Sequence, residues 1–137
     1  MIIISVIDDK GGLMFNNRRQ SQDRILRQNI LETVSSGKLL MNSFSFSQFS
    51  KENFNNIITD EDFLENAQKD DFCFAENVSL LPYTNKIDKI ILFRWNRTYP
   101  GDFFFDIPLS EEIWHLVSSE DFEGSSHEKI TKEIYEK

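Results

Sequence analysis

A single cysteine, Cys73, stands in 137 residues, so no internal disulfide can form. One free thiol fits a reducing compartment, and the expectation is a cytoplasmic protein. Cys73 lies in the apolar run Phe-Cys-Phe-Ala and reads as a core residue rather than a nucleophile. Long hydrophobic runs are also missing. No stretch approaches the ~20 apolar residues of a membrane span. The opening Met-Ile-Ile-Ile-Ser-Val-Ile is short and runs straight into Asp8 and Asp9, which reads as a buried strand and not as a signal peptide. Basic residues are outnumbered: 15 Lys and Arg against 23 Asp and Glu leave a net charge of −8. With a pI near 4.7, broad nucleic-acid binding is excluded, because it needs many cations on phosphates. An anionic membrane surface is disfavoured for the same reason. His115 and His127 are the only histidines. Neither has a second ligand at metal-binding spacing, so no metal site is expected. There is no internal repeat, no low-complexity segment and no linker, and residues 1–137 read as one domain.

Apolar residues make up 39% of the chain and include 13 phenylalanines, enough for a Phe-rich core. Residues 2–7 predict a strand of β-branched residues. Residues 8–22 read as a polar loop opened by Gly11-Gly12. In residues 23–35, Ile25, Leu26, Ile30, Leu31 and Val34 lie on one helical face. Ser21 is the candidate N-cap and Gly37 the candidate stop. Further on, residues 38–42 predict a strand and residues 43–54 a short helix. Strand 56–59, an acidic helix over 60–68 and strand 71–75 follow. Residues 77–82 read as one helical turn ended by Pro82, and 88–95 as a strand. Residues 112–119 and 128–136 predict a closing pair joined through Gly124-Ser125-Ser126. The order of elements is that of an α/β protein with about six to eight strands.

The most distinctive polar segment is Arg18-Arg19-Gln20-Ser21-Gln22-Asp23-Arg24. Together with Arg27, it gathers four arginines opposed locally only by Asp23. Guanidinium groups fork onto phosphate or carboxylate, and helix-start N–H groups add to that, so this run is a candidate anion site. The alternative is a solvated helix start with an Asp23–Arg27 pair at i, i+4. Ser125-Ser126-His127-Glu128 resembles hydrolase vocabulary. It lacks a nucleophile elbow, however, and adjacent residues do not make a triad, so it reads as a loop.

Residues 90–106 carry a family pattern: the apolar strand Ile90–Phe93, then Gly101-Asp102, then Phe105-Asp106. With Trp114 before the penultimate strand and Glu133-Ile134-Tyr135-Glu136 at the close, this resembles the bacterial-type dihydrofolate reductases. The first half matches in outline: strand one, a loop containing Asn17, a helix beginning with an acid, and a strand ending near Met41. The resemblance implies a three-layer α/β fold with a largely parallel central sheet and a C-terminal antiparallel hairpin. It also implies that Asp23 stands where the family places its catalytic acid, ionised beside Arg19, Arg24 and Arg27.

Several of the family's positions are changed. Its Leu-Pro-Trp after the active-site loop is Arg18-Arg19-Gln20. Its paired glycines, which admit a cofactor diphosphate, fall at Ala75, Glu76 and Asn77, where Glu76 would repel it. Its Gly-Arg-x-Thr is Asn42-Ser43-Phe44-Ser45, and the threonine that supports the acid falls at Phe93. The expectation is therefore a binding protein without dihydrofolate reductase activity. Its ligand would be a small anionic or heteroaromatic molecule, nucleotide- or pterin-like, anchored by Arg18, Arg19, Arg24, Arg27 and Arg94 around Asp23. One alternative is an NADPH-dependent reductase that uses Asp23. A second is an interaction protein that keeps only the fold, its pocket filled by Phe44, Phe46 and Phe93.

Overall fold

Ile2–Ile7, dominated by β-branched residues, runs through the middle of a seven-stranded sheet in the computed structural model, which describes residues 1–137. Along the chain the elements are β1 (Ile2–Ile7), β2 (Gly12–Phe15), β3 (Arg18–Arg19), α1 (Arg24–Val34), β4 (Leu39–Met41), α2 (Ser43–Phe49) and β5 (Ile57–Thr59). There follow α3 (Phe63–Asn66), β6 (Phe72–Phe74), a 3-10 turn (Leu81–Lys86), β7 (Lys89–Arg94), β8 (Phe103–Phe104), β9 (His115–Phe122) and β10 (Ile130–Glu136). The large sheet has the order β5-β4-β6-β1-β7-β10-β9. Its β4, β5, β6, β1 and β7 pairings are parallel, and β10 is antiparallel to both β7 and β9. The fold is thus a largely parallel α/β sheet closed by a C-terminal antiparallel hairpin, as the sequence predicts. No helix is long and apolar enough to cross a membrane.

Alternation along the strands splits the apolar side chains into two cores, one on each face of the sheet. Ile3, Cys73, Ile90 and Leu92 face one core with Phe63, Leu64, Leu80 and Trp114. Ile4, Phe74, Ile91 and Phe93 face the other, where α1 lays down Leu26, Ile30 and Val34 at i, i+4 and i+8. Ile30 is fully packed, whereas Leu31 is only partly buried at its rim. Cys73 is sealed in the first core, and burial pushes its thiol up to about 12.

Residues 8–22 are not a plain loop. Asn16 and Asn17 both adopt positive φ, at 51° and 60°, and join β2 to β3 in a two-residue hairpin. Asparagine tolerates that conformation, which fits the twist of a tight hairpin. β8 adds to β2 to make a separate three-stranded sheet. The helix cap also differs from expectation. Asp23, not Ser21, caps α1, accepting from Leu26 N–H at 3.0 Å. The helix stops at Ser35, with φ 55°, before Gly37 is reached. The acidic helix shrinks to Phe63–Asn66, since Ala67 already has extended ψ. Pro82 lies at the start of its 3-10 turn rather than ending one, consistent with a residue that lacks an N–H and has a fixed φ.

Phe93 is fully buried and packs edge-to-face on Phe122, with centroids 6.1 Å apart and planes at 85°. Phe93→Ala should therefore destabilise the fold by about 3–5 kcal/mol, read as a lower urea midpoint with an unchanged slope. A midpoint that stays in place would show that the side chain is not part of the core.

Candidate functional site

From β1 the chain moves to one side of the sheet through β4, β5 and β6, then returns to the other side as β7. Such a reversal opens a crevice beyond the carboxyl ends of the central strands, where α/β proteins bind ligands. A cleft lies there. Val6 of β1, Phe74 of β6, Trp95 just after β7, and Leu26 and Ile30 of α1 form its apolar wall. Arg19, Gln20, Ser21, Arg27, Gln48 and Glu76 supply its polar side. The walls stand close together: about 10 Å³ admits the centre of a water molecule, roughly one water's worth.

The arginines of the sequence analysis divide into two groups. Arg19 forks onto Glu76, with Nε at 3.1 Å and Nη2 at 3.2 Å from its two carboxylate oxygens. The same Nη2 donates to the Phe44 carbonyl at 3.0 Å, and the guanidinium lies 4.5 Å from the Phe44 ring centroid. Arg27 pairs with Glu52 at 3.0 Å, and Arg94 pairs with Glu133. Arg18 and Arg24 are exposed and make no ion pair. Gln20 donates through Nε2 to Asp8 and to the Pro100 carbonyl, at 3.3 and 3.1 Å. Its Oε1 is buried without any partner.

Asp23 is 2% exposed, and all its bonds are internal. Oδ1 accepts from the Leu26 and Ser125 N–H groups, each at 3.0 Å. Oδ2 accepts from the Ser126 N–H at 2.9 Å, the Ser126 hydroxyl at 3.1 Å and His127 Nδ1 at 3.0 Å. Burial alone would raise this carboxyl. The Ser126 and Ser125 N–H groups, His127 and the Leu26 N–H outweigh it and hold the carboxyl well below the usual carboxylate range. Of the arginines expected to keep it ionised, Arg19 and Arg27 are paired with Glu76 and Glu52, and Arg24 is exposed and bonds no carboxylate. The carboxylate that lines the cleft is Glu76; Asp23 is behind the wall.

His127, read from sequence as a loop residue, is 5% exposed and joins these elements. Its ring stacks on Trp95, with centroids 4.3 Å apart and planes at 25°. Its Nε2 lies 3.1 Å from Ser21 Oγ and 3.0 Å from the Tyr99 hydroxyl. A second buried carboxylate, Asp8, organises the turn after β1. It gathers the Lys10 and Gly12 N–H groups on Oδ1, and the Tyr99 N–H with Gln20 on Oδ2.

The segment where the resemblance places a diphosphate cradle is filled by side chains. Glu76 is locked to Arg19, and Asn77 Oδ1 accepts from Asn42 Nδ2 at 2.8 Å while Asn42 Oδ1 caps α2. These residues do not fit the diphosphate of NADPH.

No protein-family model matches the sequence, and no curated protein matches it. Among solved structures, the fold is similar to dihydrofolate reductase from Enterococcus faecalis, determined in complex with NADP(H) and RAB-propyl. The TM-score is 0.70 at 14% identity, over 98% of this chain and 94% of that one. The chain therefore has the dihydrofolate reductase fold at a distance that leaves its activity open.

Two outcomes follow from the Asp23 hub. The depressed carboxyl contributes stability that is whole above the ordinary aspartate value of about 3.9 and is lost as pH falls below it, because the unfolded chain then binds the proton more readily. Urea midpoints measured from pH 6 to pH 2 should fall more steeply below pH 4 in the wild type than in Asp23→Asn. Gly124 presses the loop onto this carboxylate: an added Cβ would lie 2.5 Å from Asp23 Oδ2 and 2.9 Å from Ile130 Cδ1. Gly124→Ala should destabilise the fold by about 1–3 kcal/mol, the range for overpacking a close contact, read as a lower urea midpoint.

Proposed function

We propose that residues 1–137 form a single-domain small-molecule binding protein, with the ligand seated in the cleft beyond β1, β6 and β7, and that it does not reduce dihydrofolate. The observation that carries this reading is Gln20, whose Oε1 is buried in the cleft wall without a partner. A buried acceptor left unpaired costs about 1–3 kcal/mol, and a ligand N–H offers the missing bond. The apolar wall of Phe74, Leu26 and Trp95 suits a flat ring. A heteroaromatic ring with an N–H edge satisfies both requirements.

An anionic group on that ring would take the Arg19 guanidinium from Glu76. Charge-assisted forks are strong but exchangeable when the competing carboxylate is on the ligand. The cleft is nearly closed, so binding is coupled to release of the Arg19–Glu76 clasp. The reductase alternative is weakened by two features: Asp23 has its oxygens fully engaged away from the cleft, and the Glu76-Asn77 segment opposes a diphosphate. The single buried thiol supports a reducing, cytoplasmic setting.

The test is thermal unfolding with a panel of pterins and mononucleotides. At least one member should raise the melting temperature by linkage. Glu76→Gln, which frees Arg19, should tighten an anionic member by about tenfold, or ~1.4 kcal/mol. Saturable micromolar binding of NADPH, or turnover of dihydrofolate, would reinstate the reductase reading. Indifference to the whole panel would leave the interaction-protein reading in front.

A further inference from the structure

His127 lies more than a hundred residues from Ser21 and Asp23, which are two residues apart, and the three meet in a line. Asp23 Oδ2 is 3.0 Å from His127 Nδ1, and His127 Nε2 is 3.1 Å from Ser21 Oγ. Asp23 is ionised and can only accept, so the proton between it and the ring sits on Nδ1. In the neutral imidazole Nε2 is then the lone-pair nitrogen, and it faces the serine hydroxyl. The imidazole cannot drift, because it is stacked on Trp95 and held by a carboxylate that three backbone N–H groups fix in place. Ser21 is the member of the trio that lines the cleft.

We propose that these residues form a nucleophilic relay that cleaves short aryl or other activated esters in the cleft. This rests on the reading that the cleft admits a small molecule, and it adds a reaction to that reading. Ser21 Oγ attacks the acyl carbon, forming a C–O bond as its proton passes to His127 Nε2. The tetrahedral intermediate collapses, breaking the bond to the leaving alcohol, which takes the proton back from Nε2–H. Water then repeats the two steps on the acyl-serine, giving a carboxylic acid and free Ser21. Ester and water become acid and alcohol with no other reactant. Asp23 never takes the proton; it fixes the tautomer and stabilises the imidazolium.

The groups around the relay bear on the chemistry. The N–H of Gln22, the residue after the nucleophile, makes no hydrogen bond within the chain, which leaves a backbone donor beside Ser21 for a developing oxyanion. The Tyr99 hydroxyl, 3.0 Å from Nε2, competes with Ser21 for the same lone pair. Ser126 Oγ lies 3.1 Å from Nδ1, on the Asp23 side of the ring, and is not placed to give its proton to Nε2. The apolar wall formed by Leu26, Phe74 and Trp95 selects the flat, uncharged part of the substrate.

The experiment is labelling by a small fluorophosphonate, with the adduct located by mass spectrometry. Wild-type protein should carry one adduct, on Ser21. Ser21→Ala should abolish it, with an unchanged melting temperature showing that the variant is folded. His127→Gln should slow labelling by about 100-fold or more, the scale of a general base. Tyr99→Phe should label at least as fast as the wild type, because Nε2 is then reserved for the serine. Absence of an adduct on Ser21 in folded wild-type protein overturns the relay, and so does an adduct on another residue or undiminished labelling in a folded His127→Gln. The pterin and mononucleotide panel run on the same sample separates the two readings. Stabilisation without labelling removes the relay and leaves the binding cleft standing. Labelling without stabilisation supports the relay and shifts the ligand class to esters.

Discussion

The burial of one carboxylate governs how this chain closes. Asp23 sits at the amino end of α1, and its two oxygens collect N–H groups from that helix and from the loop before β10. Segments about a hundred residues apart are thereby fixed by a group that must stay charged. Removing one partner from such an arrangement leaves donors stranded in a dry environment, which is why buried hubs of this kind are all-or-none features. The cleft depends on it indirectly. The hub sets where α1 begins, which sets where Leu26, Arg27 and Ile30 stand, and it fixes the ring of His127 against Trp95.

The parallel sheet provides the frame and its changed loop residues the chemistry. β1, β6 and β7 run parallel to the same edge of the sheet, as in other α/β proteins whose strand order reverses at the centre. In the reductase fold, by the resemblance drawn from the sequence, a cofactor diphosphate lies against the segment that is Ala75-Glu76-Asn77 in this chain. Here Glu76 and Arg19 are bonded to each other, and Asn77 accepts from Asn42. The acidic balance of the chain is consistent with this: three of the five arginines proposed as anchors are neutralised by Glu76, Glu52 and Glu133. A fold carries over long after a site does not.

The frame was legible because its signals are local and repeated. The β-branched run of β1, the helical spacing of Leu26, Ile30 and Val34, and the apolar run of β7 each declare their element within a few residues. The Asn16-Asn17 hairpin was also written locally, in two residues that accept positive φ, but a polar composition masked it. The site was legible only in part. Asp23, Arg19 and Glu76 stood out from the reductase pattern, but their partners did not. His127 lies 104 residues from Asp23 and 106 from Ser21, and no periodicity connects positions so distant. Nor does a sequence state that an arginine beside a cleft is already paired. Such facts belong to tertiary packing, where a side chain's partner is set by the topology and not by its neighbours in the chain.

Cys73 has a different kind of consequence. It is the only thiol, it lies in the central core beside Met1, and its ionisation is suppressed by burial. Thiolate, not thiol, reacts with alkylating reagents and disulfides. In the native state this sulfur is both hidden and protonated, so its modification requires the sheet to part. The chain thus carries an intrinsic chemical gauge of its own opening. The rate at which Cys73 is captured reads out how often the β1–β6 region of the core comes apart, without any label or added residue.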